Sequence, residues 1–297
     1  MVEQSQIPPS PLARRPVQEL YDADRVPYDK RKLTYAHSFN SRWQSIVIRS
    51  LEWCTGKIKL LRRIREFERI GPAAGQKFWK QARGLMGVEL RTPRKEIERI
   101  PATGPVIIVA NHPHGLVDGM ILAELVGEIR DDYKILTRSL LTGVKEVAKY
   151  MLPVPFPHEE DSFNKSLEMR KEAMAQLAHG GVIILFPSGT VAASETWFGD
   201  AVEADWNPFT AKLIQRSGAT VVPVRFSGQN SRLYQIADKV SATVRQGLLI
   251  HEVAHSFNKP QRPIIGEPLS QDLVKEKARN STEFMAWLRQ HTLDLRA

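Results

Sequence analysis

Beyond residue 100 the chain alternates between two textures. Short apolar runs at 106–110, 134–137, 182–186 and 220–226 have the length of buried strands. The stretches at 120–127, 142–150, 163–179 and 209–216 instead repeat their apolar residues every three or four positions, as amphipathic helices do. Strands alternating with helices predict an α/β fold with a largely parallel central sheet flanked by helices, because each crossover must cover a sheet face. A further helix is predicted at 270–295, and no segment repeats another.

Ahead of that region, Trp43, Val47, Leu51, Cys54, Ile58, Leu61 and Ile64 fall at helical steps, with Arg42, Arg49, Lys57, Lys59, Arg62, Arg63 and Arg65 interleaved. Gly56 costs a helix about 1 kcal/mol relative to Ala and marks the point where the stretch would break in two. Gly71 and Pro72 close it, and a second helical stretch runs through Phe78, Trp79, Ala82 and Leu85 to Met86. Residues 1–35, with Pro8, Pro9, Pro11, Pro16 and Pro27 and no periodicity, read as a flexible leader. The organisation expected is a leader at 1–35, a basic amphipathic helical cap at 36–99 and an α/β domain at 100–297.

Composition narrows the class. With 42% apolar and 25% charged side chains over 297 residues, the chain is neither collagen-like, nor a disulfide scaffold, nor wholly disordered. The lone Cys54 cannot form an internal disulfide and no signal-peptide pattern opens the sequence, so a reducing, cytoplasmic setting is expected. No run approaches the roughly 18 apolar residues that cross a bilayer.

The net charge of +9 is regional: residues 41–99 hold 15 Lys plus Arg against 6 Asp plus Glu. Such a stretch suits an acidic partner. Nucleic acid is set aside, since no helix-turn-helix, zinc-finger or RNA-binding signature accompanies the charge. Two readings of the apolar stripe stay open: packing on the protein's own core, or lying in an anionic lipid interface.

The chemistry concentrates where the run at 106–110 enters Asn111-His112-Pro113-His114-Gly115-Leu116-Val117-Asp118-Gly119. Ligands of α/β folds gather past the carboxyl ends of strands, and a histidine oriented by a carboxylate is a general base. Asp118, near the expected helix start, can cap that helix or hold an imidazole in one tautomer.

This stretch resembles the first motif of the glycerolipid (1-acylglycerol-3-phosphate acyltransferase-like) acyltransferase superfamily, in particular the haemolysin-like branch that includes ornithine-lipid acyltransferases. The superfamily norm is His-x4-Asp, whereas His112 and Asp118 have five residues between them, as in the Asn-His-Pro form of that branch. Further blocks follow in order. Residues 152–156 are similar to a degraded second motif. Residues 182–190 are similar to the third, with Ser188 where Phe-Pro-Glu-Gly-Thr has its glutamate. Residues 221–234 are similar to the fourth. The resemblance covers roughly residues 60–270 and implies a catalytic pair, His112 and Asp118, with His114 as an alternative base. It further implies substrate contacts at Asn111, Gly115, Phe186, Pro187, Ser188, Gly189, Thr190, Arg225, Asn230 and Arg232. Backbone N–H groups near Gly115 or Ser188-Gly189 would serve a developing oxyanion. No metal or cofactor is implied: acyl-coenzyme A or acyl carrier protein is a co-substrate and a lysophospholipid or amino-acid lipid the acceptor. The cap then has a use, holding the site against an anionic membrane through residues 41–70, peripherally on the inner face.

Two other function classes compete. His251-Glu252-Val253-Ala254-His255 matches the His-Glu-x-x-His helix of zinc hydrolases, with Glu267 as a third ligand, provided that 243–255 is helical; a strand there would turn Glu252 away. His112, His114 and Asp118 could also be read as three ligands of a metal hydrolase. The last alternative is a non-catalytic lipid-binding protein of the membrane surface.

Overall fold

The computed structural model describes residues 28–29, 33–36, 41–137, 144–155 and 161–296. Six strands form one sheet in the order β3-β2-β4-β1-β7-β8: β1 (Val106–Ala110), β2 (Tyr133–Thr137), β3 (Met151–Pro153), β4 (Val182–Leu185), β7 (Thr220–Arg225) and β8 (Ile264–Ile265). All neighbours are parallel except β8, which runs antiparallel to β7 at the edge. β1 lies at the centre, with Val106 opposite Val182 on β4 and Thr220 on β7. Its five residues are all buried, which is why they read as an unbroken apolar run.

Helices cover both faces. Val106, Ile108 and Ala110 face α5 (Leu116–Val126) and, from the N-terminal region, Phe67, Phe78 and Trp79. Ile107 and Val109 face the opposite core, built from α6 (Ser162–Ala178), α7 (Pro208–Ser217) and α12 (Ser281–Leu293). Between β4 and α7 a small antiparallel hairpin, β5 (Ala193–Ser194) and β6 (Ala201–Val202), stands apart from the sheet.

The amphipathic stretch breaks at Gly56 into α1 (Arg42–Thr55) and α2 (Lys57–Ile70), and α3 (Lys77–Met86) and the short α4 (Arg94–Ile97) follow. Packing explains the glycine better than flexibility does. A Cβ at Gly56 would lie 2.7 Å from Cα of His251, so the break lets this elbow touch the backbone of α10 (Leu249–His255). α9 (Ala242–Gly247) packs against α1 and against α8 (Arg232–Val240). Buried Glu52 of α1 draws residues 33–36 onto the body, accepting hydrogen bonds from Thr34 Oγ1 at 2.8 Å and Tyr35 N–H at 2.7 Å, with Lys57 Nζ at 3.4 Å. Of the apolar stripe, Leu61 is buried, while Trp43, Cys54 and Ile58 are exposed together with Ile46 and Trp53.

Several expectations need correction. At 142–150 the residues from 144 onward form turns and a single 3-10 turn, Ala148–Tyr150, because Tyr150 must stack on Tyr133 (ring centroids 4.5 Å apart) as the chain enters β3. Residues 142 and 143 lie outside the described residues, as do Phe156 and most of the leader expected at 1–35. The helix expected at 270–295 is two, α11 (Gln271–Lys277) and α12. Asn280 starts the second by accepting from the N–H groups of Thr282 and Glu283, a cap within a pattern that otherwise reads as continuous. The segment at 243–255, open between strand and helix, is helical as α9 and α10.

Candidate active site

The loop from β1 to α5 is fastened at both ends. The amide of Asn111 exchanges two hydrogen bonds with the backbone of Phe226, Nδ2 to O at 2.9 Å and N–H to Oδ1 at 2.7 Å, locking the end of β1 to the end of β7. Gly115 turns the chain into α5 at φ +69°, a conformation that suits glycine, and a Cβ there would press on Val191 at 3.3 Å.

Asp118 sits in the first turn of α5, fully buried, and holds both histidines. Oδ2 lies 3.1 Å from His112 Nδ1 and accepts the His114 backbone N–H at 2.8 Å, while Oδ1 lies 3.0 Å from His114 Nδ1. The carboxylate therefore fixes two imidazoles and the turn between them. Burial alone would raise its pKa, but the charge of His114 and hydrogen bonds from both rings outweigh that and hold it below the ordinary carboxylate range. Burial would likewise lower the His114 pKa, and the adjacent Asp118 overrides it and raises it.

The two rings differ in what they face. His112, with Nδ1 on Asp118, stacks on Phe186 at 3.9 Å between centroids and lines a cavity of about 360 Å³. His114 is buried away from that cavity; a Cβ on Gly228 would lie 3.1 Å from its Nε2. The pocket thus receives one imidazole of the pair. Its walls are mostly apolar, including Met120, Ile135, Met151, Val154, Met169 and Leu185.

A second buried carboxylate reaches the same turn. Glu203, at the foot of the hairpin, accepts the His112 backbone N–H on Oε2 at 3.0 Å and Trp206 Nε1 on Oε1 at 3.0 Å. Burial raises its pKa, offset in part by the His112 N–H and by the neighbouring Ser188 and Trp206 side chains. The sequence carries no pattern that singles this residue out.

Other expected site residues divide. Gly115, Phe186, Pro187, Gly189 and Thr190 line the cavity. Ser188 does not; its hydroxyl donates to Thr190 O at 3.0 Å. The Gly189 N–H closes the turn on Phe186 O at 2.9 Å, so it is engaged rather than aimed at an oxyanion. Asn111 is the latch described above, and Asn230 is buried outside the cavity lining. Arg225 donates to Leu295 O at 2.7 Å, and Arg232 grips the hairpin tip through Phe198 O at 3.0 Å and Gly199 O at 2.6 Å. Both arginines act on backbone and neither lines the pocket. Tyr234 and Arg245 line it although the sequence did not mark them.

The His-Glu-x-x-His segment is helical, yet its parts are employed otherwise. Glu252 is buried and accepts Ser231 N–H at 2.8 Å and Ser231 Oγ at 2.6 Å, His251 Nδ1 lies 3.2 Å from Thr55 O, and Glu267 pairs with Arg99 at 2.7 Å. Among the described residues no three His, Cys, Asp or Glu side chains gather as a metal site. The matching spacing serves the packing of α10 on the α1–α2 elbow.

Comparisons with known proteins give the family. The family described as acyltransferase (Acyltransf_2) matches residues 60–285. The lyso-glycine lipid O-acyltransferase of Phocaeicola vulgatus is 26% identical over 210 residues, covering 65% of this chain and 72% of that protein. The protein of the same name from Bacteroides thetaiotaomicron is 29% identical over 142 residues, covering 47% and 49%. Among solved structures, the 1-acyl-sn-glycerophosphate acyltransferase PlsC from Thermotoga maritima aligns with a TM-score of 0.48 at 17% identity, over 75% of this chain and 79% of that one.

Proposed function

Because the chain belongs to this acyltransferase family, within the glycerolipid acyltransferase superfamily, and is an acyltransferase of lipid substrates, we propose that it moves a fatty acyl group from an acyl thioester to a lysolipid acceptor with His112 as general base. The observation that carries this reading is the His112–Asp118 contact of 3.1 Å, with the imidazole facing an apolar cavity of about 360 Å³.

Asp118 receives Nδ1–H and leaves Nε2 basic. His112 Nε2 takes the proton of the acceptor hydroxyl, or of an amine, as that atom attacks the thioester carbonyl. The tetrahedral intermediate collapses with loss of the thiol, which recovers the proton from His112. The acceptor is itself the nucleophile, so no acyl-enzyme forms. Asp118 stabilises the transient imidazolium. With Gly189 N–H engaged, the developing oxyanion is assigned to the Gly115 end of the first motif.

The donor in this proposal is acyl-coenzyme A or acyl carrier protein. The acceptor is a lyso-glycine lipid or a close amino-acid lysolipid, the substrate class in the names of the relatives. Trp43, Ile46, Trp53 and Ile58 stand exposed among the basic residues of 41–70, a combination that suits peripheral binding to an anionic inner-face membrane. The test is transfer from labelled acyl-coenzyme A and acyl carrier protein to lysolipids, comparing wild type with His112→Ala and Asp118→Asn at measured metal content. Transfer by wild type alone supports the reading. No transfer with either donor, or transfer that survives in His112→Ala, overturns it.

A further inference from the structure

The cavity that receives His112 is lined mostly by apolar side chains, and its cationic group comes from the helices that follow β7. Apolar lining comes from β2, β3, β4 and α6, including Ile135, Met151, Leu185 and Met169. Polar lining comes from Thr137, Thr190, Asn207 and Thr210 and, from residues 33–36 and the helices that follow β7, from Tyr35, Tyr234, Arg245 and Gln246. His112, at the end of β1, follows the strand that separates β4 from β7. Among the described residues lining the cavity Arg245 is the one Lys or Arg, and none is Asp or Glu.

We infer that Arg245, resting on the acyl-transfer reading above, is the binding group for an anionic head group of the acceptor lipid, a carboxylate in the first instance. A guanidinium presents five N–H donors in a planar fork matched to a carboxylate. Asp238 takes one of them, Nη1–H, at 2.7 Å, and so orients the fork from α8 while Arg245 stays about a third exposed. Tyr35 and Tyr234 line the same cavity; burial raises both phenols, so they remain protonated donors at neutral pH. A hydrocarbon chain gains nothing from these groups, and the apolar lining of the cavity suits it better. On this inference the charged head group lies at Arg245, the acyl chain lies against apolar residues such as Ile135, Met151, Met169 and Leu185, and the hydroxyl lies at His112.

The experiment measures equilibrium binding and steady-state transfer of a lyso-glycine lipid with a free carboxylate and of its methyl ester, in wild type, Arg245→Gln and Asp238→Asn. Wild type is expected to bind the acid about ten- to a hundredfold more tightly than the ester, the range for a charged hydrogen bond lost. Arg245→Gln binds both alike, with the acceptor KM raised and the donor KM unchanged. Asp238→Asn breaks the same ion pair but keeps the guanidinium, and it retains the preference for the acid. The inference is overturned if Arg245→Gln keeps that preference, if it raises the donor KM instead, or if Asp238→Asn abolishes the preference equally, which would make the pair a structural brace. Binding is read without turnover, so a protein that binds the acid selectively through Arg245 yet transfers nothing contradicts the acyl-transfer reading and keeps Arg245 as a carboxylate-binding group only.

Discussion

The backbone N–H of His112 and the carboxylate of Glu203 meet at 3.0 Å, although they are 91 positions apart in sequence. Glu203→Ala would leave that N–H and the Trp206 indole buried without acceptors, a loss of about 1–3 kcal/mol for each orphaned group. The expected outcome is a lowered melting temperature and reduced transfer. Glu203→Gln, whose amide oxygen accepts only one of the two hydrogen bonds while its NH2 faces the other donor, is expected to fall between wild type and Glu203→Ala in both. Melting curves beside initial rates check this.

Asp118→Asn keeps size but replaces an acceptor by an amide. The imidazole of His112 then loses its preferred tautomer, and kcat is expected to fall roughly 10³- to 10⁴-fold, as when a buried aspartate of a histidine pair is neutralised. The acceptor KM should move far less, since Asp118 does not line the cavity. Equal loss of affinity and rate would contradict this assignment.

His114 gives a pH signature. Its folded-state pKa is raised above the ordinary 6.5 by Asp118, so its share of stability is complete below the unfolded value and is lost as pH rises through the folded one. Wild type should lose melting temperature across that window more steeply than His114→Gln, in which the titrating group is gone. Parallel slopes would show that another group is responsible.

Gly56→Ala tests whether the glycine is there for flexibility. An alanine would favour the helix by about 1 kcal/mol, yet its Cβ meets backbone atoms of His251 at 2.7–2.9 Å. Destabilisation of about 2 kcal/mol or more is expected from denaturant titration. A stabilised variant would mean that the elbow yields easily.

Exposed Trp43 and Trp53 should carry vesicle binding if α1 lies on lipid. The Trp43→Ser, Trp53→Ser double variant is expected to pellet several-fold less with anionic vesicles while transferring normally to detergent-dispersed acceptor. Unchanged sedimentation would remove α1 from the membrane contact.

Much of this architecture was legible in the sequence because β1, β4 and most of β7 are buried on both faces and therefore read as apolar runs. The first motif was legible for a related reason: histidines, glycine and aspartate at a strand end have few other uses. Asp118 gripping both His112 and His114 followed from spacing only in part, since the bond to Oδ1 depends on how α5 starts at Gly115. Arg225 and Arg232 were expected at substrate, but their guanidiniums hold backbone carbonyls, a use that leaves no periodic trace. Glu203 and Arg245 escaped notice because they reach the site through a hairpin and a late helix, and only tertiary packing brings them near His112. The His-Glu-x-x-His match misleads because a helix makes the same spacing useful for ordinary packing.

The Asn111–Phe226 latch also has a consequence for how the protein comes into being. The two residues are 115 positions apart, so the turn bearing His112 cannot be set until β7 has joined β1, a long-range closure that is among the slower events in folding. A growing chain that has emerged only through β4 carries every residue of the histidine-aspartate pair and lacks the strand that fixes their orientation. The orientation of the first motif therefore arrives together with the closed sheet.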